Sequence, residues 1–234
     1  MADASNYTEN IIRIIDVSLA SMFLVASLPF LLPILVVLSI TGEREIFYLQ
    51  KRVGRQGRCF DLVKFATMLK DSASMSSGEI TLPNDARVLK FGRLLRATKL
   101  NEIPQLWNVV RGEMSLIGPR PQTPRYFAQC PEELKGLVCS VRPGLSGAAS
   151  VVFRDEESLF AQIEDVVCFD ENVVMPYKYE IEEWYVQHQS FALYIRLIFL
   201  TLVSVFIPSN TWVRRFISEL PTPPIEVARW LLKC

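Results

Sequence analysis

Residues 98–121 read Thr98-Lys-Leu-Asn101-Glu102-Ile103-Pro104-Gln-Leu106-Trp107-Asn-Val-Val110-Arg-Gly-Glu113-Met-Ser-Leu-Ile-Gly-Pro119-Arg120-Pro121. The pattern is a short amphipathic helix running into a rigid turn that carries an arginine. Ile103, Leu106, Trp107 and Val110 fall at i, i+3, i+4 and i+7, one buried helical face. Asn101 is the expected N-cap, and Pro104 is tolerated because first-turn amides lack helical partners. Such a helix start would offer free N–H groups and the positive end of a dipole to a phosphate. Glu102 lies in that first turn, and Arg120 stands between two prolines that fix its backbone. Anion, carboxylate and guanidinium are candidates for one site.

The bulk composition narrows the class. A chain of 234 residues suits one or two domains and can bury a real core. Half the residues are hydrophobic, mean hydropathy is +0.23 and formal charge is zero. That is too apolar and too neutral for a nucleic-acid binder, whose footprint is a basic surplus. Cys59, Cys130, Cys139, Cys168 and Cys234 are scattered, odd in number and without CxxC spacing, so a reducing compartment fits better than a disulfide framework or zinc site. The single histidine, His188, is read as structural.

Val17 to Gly42 carries no charge. A straight helix over Val17–Ile40 would be about 36 Å long, enough to cross a bilayer and too long for a signal-peptide core. Pro29 and Pro33 each remove a helical hydrogen bond near its middle, and Ser27 can return a hydroxyl to the freed backbone. Two arrangements satisfy this stretch: an ordinary span, or a kinked helix that dips into the membrane and returns to the same face. The flanks favour a cytoplasmic position for the domain beyond residue 42, since 43–58 hold five basic residues against two acidic ones, but they say little about the N-terminus.

Residues 46–68 hold two short apolar runs around Gly54 and Gly57, a β-hairpin with a basic turn. Lys51, Arg52, Arg55 and Arg58 there could face lipid headgroups or a phosphate ligand. Residues 71–84 read as a loop. Arg87, Lys90, Arg93, Arg96 and Lys99 alternate at helical period with Val88, Leu89, Phe91, Leu94 and Leu95, which suits a helix in the membrane interface or one packed on the domain. Arg125–Leu137 reads as helix, Val141–Phe153 as a Pro-Gly turn leading into a short strand, and the acidic 155–180 as loop and surface helix. Phe191–Ile207 is broken by Arg196, too short for a span and suited to a buried or interfacial helix. Pro221 to Pro224 opens a last amphipathic piece whose Trp230 and Leu231 suit another interfacial contact.

Lys64-Phe-Ala-Thr-Met68, Asp85-Ala-Arg87, Gly92-Arg-Leu-Leu-Arg96, Asn101-Glu-Ile-Pro-Gln-Leu-Trp-Asn108, Gly112-Glu-Met-Ser-Leu-Ile-Gly-Pro-Arg-Pro121 and Val141-Arg-Pro-Gly144 occur in that order. Together they resemble the bacterial sugar transferase family of small monotopic phosphoglycosyl transferases, over residues 10 to 205. The resemblance implies an α+β, mainly helical fold. An N-terminal re-entrant membrane hairpin (1–42, kinked at Ser27, Pro29 and Pro33) would carry a cytoplasmic catalytic domain (43–190) and C-terminal interfacial helices (191–234). It implies transfer of a sugar-1-phosphate from a UDP-sugar to polyprenyl phosphate, releasing UMP with Mg²⁺, on the cytoplasmic face of the bacterial inner membrane. The implied partners are UDP-sugar, polyprenyl phosphate and membrane lipid, with no nucleic acid; a homodimer is compatible.

Phosphoryl transfer requires spread charge to be neutralised and nucleophile aligned with leaving group. In the family an Asp-Glu dyad supplies nucleophile and metal ligand, and arginines assist. By position the resemblance assigns Glu102 as catalytic acid and Mg²⁺ ligand, Arg96 and Arg120 as catalytic cations, and Lys64, Arg87, Arg142, Pro119 and Pro121 as substrate-binding. The dyad's Asp is here Asn101, a negligible nucleophile and weak metal ligand. Three explanations are compatible with it: a natural active variant in which Glu102 or Glu113 takes over, an engineered inactive variant, or a protein that binds nucleotide sugar without turnover. Ala66 and Glu113 also stand where the family usually has Arg and Asp, and Leu28-Pro29 where it has Ser-Pro.

Overall fold

The computed structural model of the protein describes residues 2–72, 85–161, 163–206, 216–217 and 219–233. The loop expected over 71–84 lies almost wholly outside them. Helix α1, Ala2–Ile40, runs unbroken through Pro29 and Pro33. Its Thr8–Ile40 part, of mean hydropathy 2.6, is long and apolar enough to cross a membrane by length and composition. Ser27 Oγ donates to Leu24 O at 2.9 Å. It therefore does not serve Val25 O, the carbonyl that Pro29 orphans; a helical hydroxyl reaches back three or four residues, not two.

The inner face of α1 is its buried stripe: Ile12, Asp16 and Ala20 at four-residue spacing, then Leu31, Ile34 and Leu38. Ala20 packs with Phe60, Leu62, Leu106, Val109 and Met114, while Leu31, Ile34 and Leu38 pack with Phe65 and Leu95. Polar clasps reinforce both the packing and the register. Arg13 donates to Val109 O at 2.7 Å and Val110 O at 2.9 Å, placing a cation at the C-terminal end of a helix far along the chain (α3, Gln105–Arg111). Asp16 accepts from Ser115 Oγ and Leu116 N, each at 2.8 Å, and from the Tyr194 hydroxyl.

The expected hairpin is present. Strands β1, Phe47–Val53, and β2, Cys59–Phe65, pair antiparallel from Phe47↔Phe65 to Val53↔Cys59. Gln56 and Gly57 take the left-handed backbone of the turn, with φ of 59° and 72°. The basic residues there mostly have partners within the chain: Lys51 pairs with Asp61, Arg55 with Glu9, and Arg52 donates to Pro121 O, while Arg58 is exposed. Helix α2, Lys90–Ala97, buries Gly92 and Leu95 against the hairpin and α1, and leaves Leu94 exposed.

Asn108, at the middle of α3, accepts from Val63 N at 3.0 Å and donates to Asp61 O at 2.8 Å and Glu113 Oε2 at 2.7 Å, stapling α3 to β2. Beyond it, β3 (Ser115–Ile117) pairs parallel with β4 (Gly144–Ser146), after α4 (Pro124–Gln129) and α5 (Glu132–Ser140). The strand expected through Phe153 stops at Ser146. Ala148–Val152 is helix α6, because a short buried apolar run carries no period of its own.

Helices α7 (Glu156–Phe160), α8 (Val166–Phe169), α9 (Met175–Gln187), α10 (Phe191–Phe206) and α11 (Ile225–Lys233) complete the chain. Their core joins Val151, Val152, Tyr177, Ile181, Tyr185, Tyr194 and Leu197. Trp230 and Leu231 belong to it: Trp230 stacks on Phe153 at 5.9 Å and donates to Ser158 Oγ at 2.9 Å. The interfacial reading of these two residues is thereby corrected. Amphipathicity shows that a helix has an apolar face, not what covers it. His188 is structural, stacked on Trp184 with its Nδ1 at 2.8 Å from Trp184 O.

Candidate active site

The region around Glu102 is not built as a helix N-terminus. After α2 the chain turns at Lys99, whose φ of 59° is left-handed and unusual for a residue with a side chain. A 3₁₀ turn, Leu100–Glu102, leads to α3, with Pro104 at its N-cap and no side-chain cap. The amides of Glu102, Ile103, Leu106 and Trp107 donate to Lys99, Leu100, Ile103 and Pro104 carbonyls. Those four donors are turned onto the chain's own carbonyls and are not free for the anion expected there. Asn101 caps nothing; it is buried, and its Oδ1 has no hydrogen-bond partner among the described residues. The buried face is also rotated from the expected one: Gln105, Leu106, Asn108 and Val109 are inside and Trp107 is 52% exposed.

Charge is supplied by side chains instead. Burial alone would raise the Glu102 carboxyl, yet Arg120, Lys64, Lys99 and Arg154 around it hold it below its ordinary value. Glu102 is thus an anion at neutral pH. Lys64, on β2, is pushed down to about 7 by burial and by Arg120, Arg52 and Arg96, with Glu102 opposing. Glu102, Lys64, Arg96 and Arg120 therefore share one electrostatic neighbourhood, drawn from β2, α2, the 3₁₀ turn and the loop after β3. Arg154, past the end of α6, and Arg52, on β1, join it; Arg52 is among the hairpin cations expected to face lipid or phosphate, whereas Arg154 carries no motif.

The Gly118-Pro119-Arg120-Pro121 turn is set by close backbone approach. A Cβ on Gly118 would lie 2.5 Å from Arg142 O, and one on Gly144 would lie 2.1 Å from Gly118 N. Pro119 and Pro121 are buried and Arg120 is exposed, so the prolines act as scaffold and the guanidinium projects outward. Arg87 and Arg142 are engaged elsewhere. Arg87 is 6% exposed and locked to Asp85 at 2.7 Å and Ser72 O at 2.7 Å. Arg142 pairs with Glu9 at 2.8 Å, tying the turn before β4 to the start of α1. Glu113 lies at the far end of α3 from Glu102, held by Asn108 and by Arg111 at 3.3 Å.

The donor set bears on a metal. No cluster of three or more His, Cys, Asp or Glu occurs among the described residues. One carboxylate beside the partnerless amide oxygen of Asn101 is hard-oxygen chemistry that suits Mg²⁺ completing its shell with water and substrate phosphate. It does not suit a metal held by protein alone.

A carboxylate among arginines and a lysine, in a chain with a helix long and apolar enough to cross a membrane, is a set of groups whose charges suit a phosphate ester. The chain belongs to the bacterial sugar transferase family, whose sequence profile matches residues 7–208. It is 30% identical over 195 residues to the uncharacterized sugar transferase EpsL of Bacillus subtilis, covering 83% of this chain and 87% of that one. It is 32% identical over 195 residues to the undecaprenyl-phosphate glucose phosphotransferase of Komagataeibacter xylinus, and 29% identical over 203 to the UDP-glucose:undecaprenyl-phosphate glucose-1-phosphate transferase of Klebsiella pneumoniae. The match spans 35% and 41% of the length of these two larger relatives.

Proposed function

We propose that this protein transfers a sugar-1-phosphate from a UDP-sugar to polyprenyl phosphate at the cytoplasmic face of a bacterial inner membrane, releasing UMP. The observation that carries the reading is the convergence of anionic Glu102 with Arg120, Lys64 and Arg96. A diphosphate ester needs such a set: cations to neutralise its oxygens, and a carboxylate to attack phosphorus or to hold the metal on it. The names of the Komagataeibacter and Klebsiella relatives support donor and acceptor of this class.

Arg120 and Arg96 clamp the diphosphate, and Lys64 adds a short-range cation. Glu102, with the Asn101 carbonyl oxygen, would hold Mg²⁺, which when bound neutralises the charge of the diphosphate bridge. In the covalent route a Glu102 oxygen bonds the sugar-bearing phosphorus as its bond to UMP breaks; polyprenyl phosphate then displaces the carboxylate from that phosphorus. In the direct route polyprenyl phosphate attacks and Glu102 serves only as metal ligand.

The packing of α1 supports a re-entrant seating. Residues before and after the prolines rest on one domain, while Met22, Phe23, Val25, Leu28 and Phe30 face outward between them. In that seating both halves of α1 stay against one domain and both of its ends lie on one face of the bilayer, although α1 itself is one continuous helix and not the broken hairpin expected. The outward apolar face is what lipid would cover.

The test is UMP release with Mg²⁺ and undecaprenyl phosphate across a panel of UDP-sugars, for the native protein, Asn101→Asp and Glu102→Gln. Native activity is expected with at least one donor, falling by about 10²-fold or more in Glu102→Gln. Unchanged activity in Glu102→Gln would remove Glu102 from the mechanism. Activity that appears only in Asn101→Asp would make the native protein a binder without turnover. Label from the sugar-phosphate trapped on protein separates the covalent route from the direct one.

A further inference from the structure

The Gly118–Gln122 segment is held at every residue. Gly118 N donates to Ser146 O at 2.9 Å, and Pro119 O accepts from Gly144 N at 2.8 Å. Pro121 O accepts from Arg52 Nη1 at 2.8 Å, and Gln122 O from Val53 N at 2.9 Å. Between the prolines there is one N–H, that of Arg120, because proline has none. It donates to Oε1 of Glu182 at 3.3 Å. The other four holds come from β1 and β4; this one comes from α9.

Glu182 is an unusual core residue. It is 5% exposed and shares α9 with buried Tyr177, Ile181, Trp184 and Tyr185. Its Oε2 has no hydrogen-bond partner among the described residues. A buried carboxyl with an unsatisfied oxygen costs free energy and calls for a reason. Lys178, one turn earlier on the same helix, lowers its carboxyl pKa only from a distance, since its ion pair is with Glu156. Gly147 permits the close approach of the turn itself: a Cβ there would lie 2.3 Å from Gly118 O, while Glu182 Oε1, at 3.8 Å, would be in ordinary contact.

With Pro119 and Pro121 rings fixing φ on either side, the backbone of Arg120 is the remaining soft point of the turn. Its amide points inward to Glu182 while its side chain is exposed toward Glu102 and Lys64. We propose that Glu182 is a positioning residue for Arg120: by holding this single inward amide, it keeps the guanidinium aimed at the Glu102 site. The kinetic consequence rests on the transferase reading; the hold itself does not.

Two measurements test it. In amide exchange, Arg120 should exchange faster in Glu182→Leu than in the native protein or Glu182→Gln, because Gln retains an acceptor of the same shape. In the UMP assay, Glu182→Leu should lose on the order of 10- to 100-fold in kcat, as expected for a displaced catalytic group, while Glu182→Gln restores most of it. The double variant Arg120→Ala/Glu182→Leu should be no slower than Arg120→Ala alone, since residues that act as a unit do not add. A purely structural role would make the two losses multiply. Unchanged Arg120 exchange in Glu182→Leu, multiplying losses, or Glu182→Gln as impaired as Glu182→Leu would each overturn the proposal. Glu182→Met, unbranched like Glu, carries the same comparison should the Leu variant not fold. If the native protein releases no UMP, the transferase reading fails and the exchange result still decides the hold.

Discussion

At the residue scale, two carboxylates illustrate opposite answers to burial. Glu102 is surrounded by Arg120, Lys64, Lys99 and Arg154 and stays ionised. Glu182 is pushed up to about 8 by burial, against the Arg120 amide and the charges of Arg120 and Lys178. It is therefore a neutral acid over most of the physiological range, with Tyr185 one turn along its own helix among the groups that feel its charge. An acid whose folded value lies above its unfolded one binds more protons when folded, so its contribution is complete below about 4.5 and is lost as pH rises toward 8. The native protein should lose stability relative to Glu182→Gln across that window, at a slope approaching about 1.4 kcal/mol per pH unit. Paired thermal or denaturant melts from pH 5 to pH 8.5 measure it; a constant gap between the two proteins would contradict a neutral buried Glu182. Glu102, Arg96, Arg120 and Lys64 each sit in a motif of the sequence, and the fold brings them into one neighbourhood. Glu182 was not legible, because a lone acid within a helix reads as surface until the helix phase is known.

At the element scale, the site depends on how closely β3 and β4 approach, and that closeness is written in glycines. Gly144→Ala would put a Cβ 2.1 Å from Gly118 N and 2.2 Å from Ser146 O, neither of which can move without breaking the parallel pair. The variant should lose roughly 1–3 kcal/mol of stability by overpacking and most of its UMP release through displacement of the Arg120 turn. Gly136→Ala, in α5 with nothing within 4 Å of the added carbon, should instead gain up to about 1 kcal/mol. Melting temperatures of the two variants in one detergent decide the contrast, which fails if both shift alike. The hairpin was legible because two apolar runs flank glycines that suit a turn. The start of α3 was not. Asn101 and Pro104 spell a helix start by local preference, but the buried packing of Leu106 and Val109 against β2 and α1 places the start at Gln105 and turns Trp107 outward. Local propensity is weak against such contacts.

At the scale of the molecule, α1 is both a helix long and apolar enough to cross a membrane and a structural spine. Arg13 holds the end of α3, Asp16 fastens β3 to α10, and Leu31, Ile34 and Leu38 cover the hairpin and α2. Its length and apolarity were plain in the sequence. Its continuity through two prolines was not, nor was the inclusion of Trp230 and Leu231 in the core, because both depend on contacts with residues far along the chain. The spine arrangement has a topological consequence. Ile12, Asp16 and Ala20 are buried in the same domain as Leu38, so residues 2–8 and the β1–β2 hairpin should lie on one side of the membrane. An epitope tag at the N-terminus should therefore survive external protease in intact spheroplasts and be cut only after lysis, together with a tag at the C-terminus. A spanning α1 would expose the N-terminal tag outside while the C-terminal one stays protected. That outcome would require Ile12, Asp16 and Ala20 to leave their packing partners, separating Asp16 from Ser115, Leu116 and Tyr194 and removing Arg13 from the end of α3, a cost of several kcal/mol by the usual penalty for broken buried polar contacts. The protected tag is the expected result because the alternative breaks the core that α1 completes.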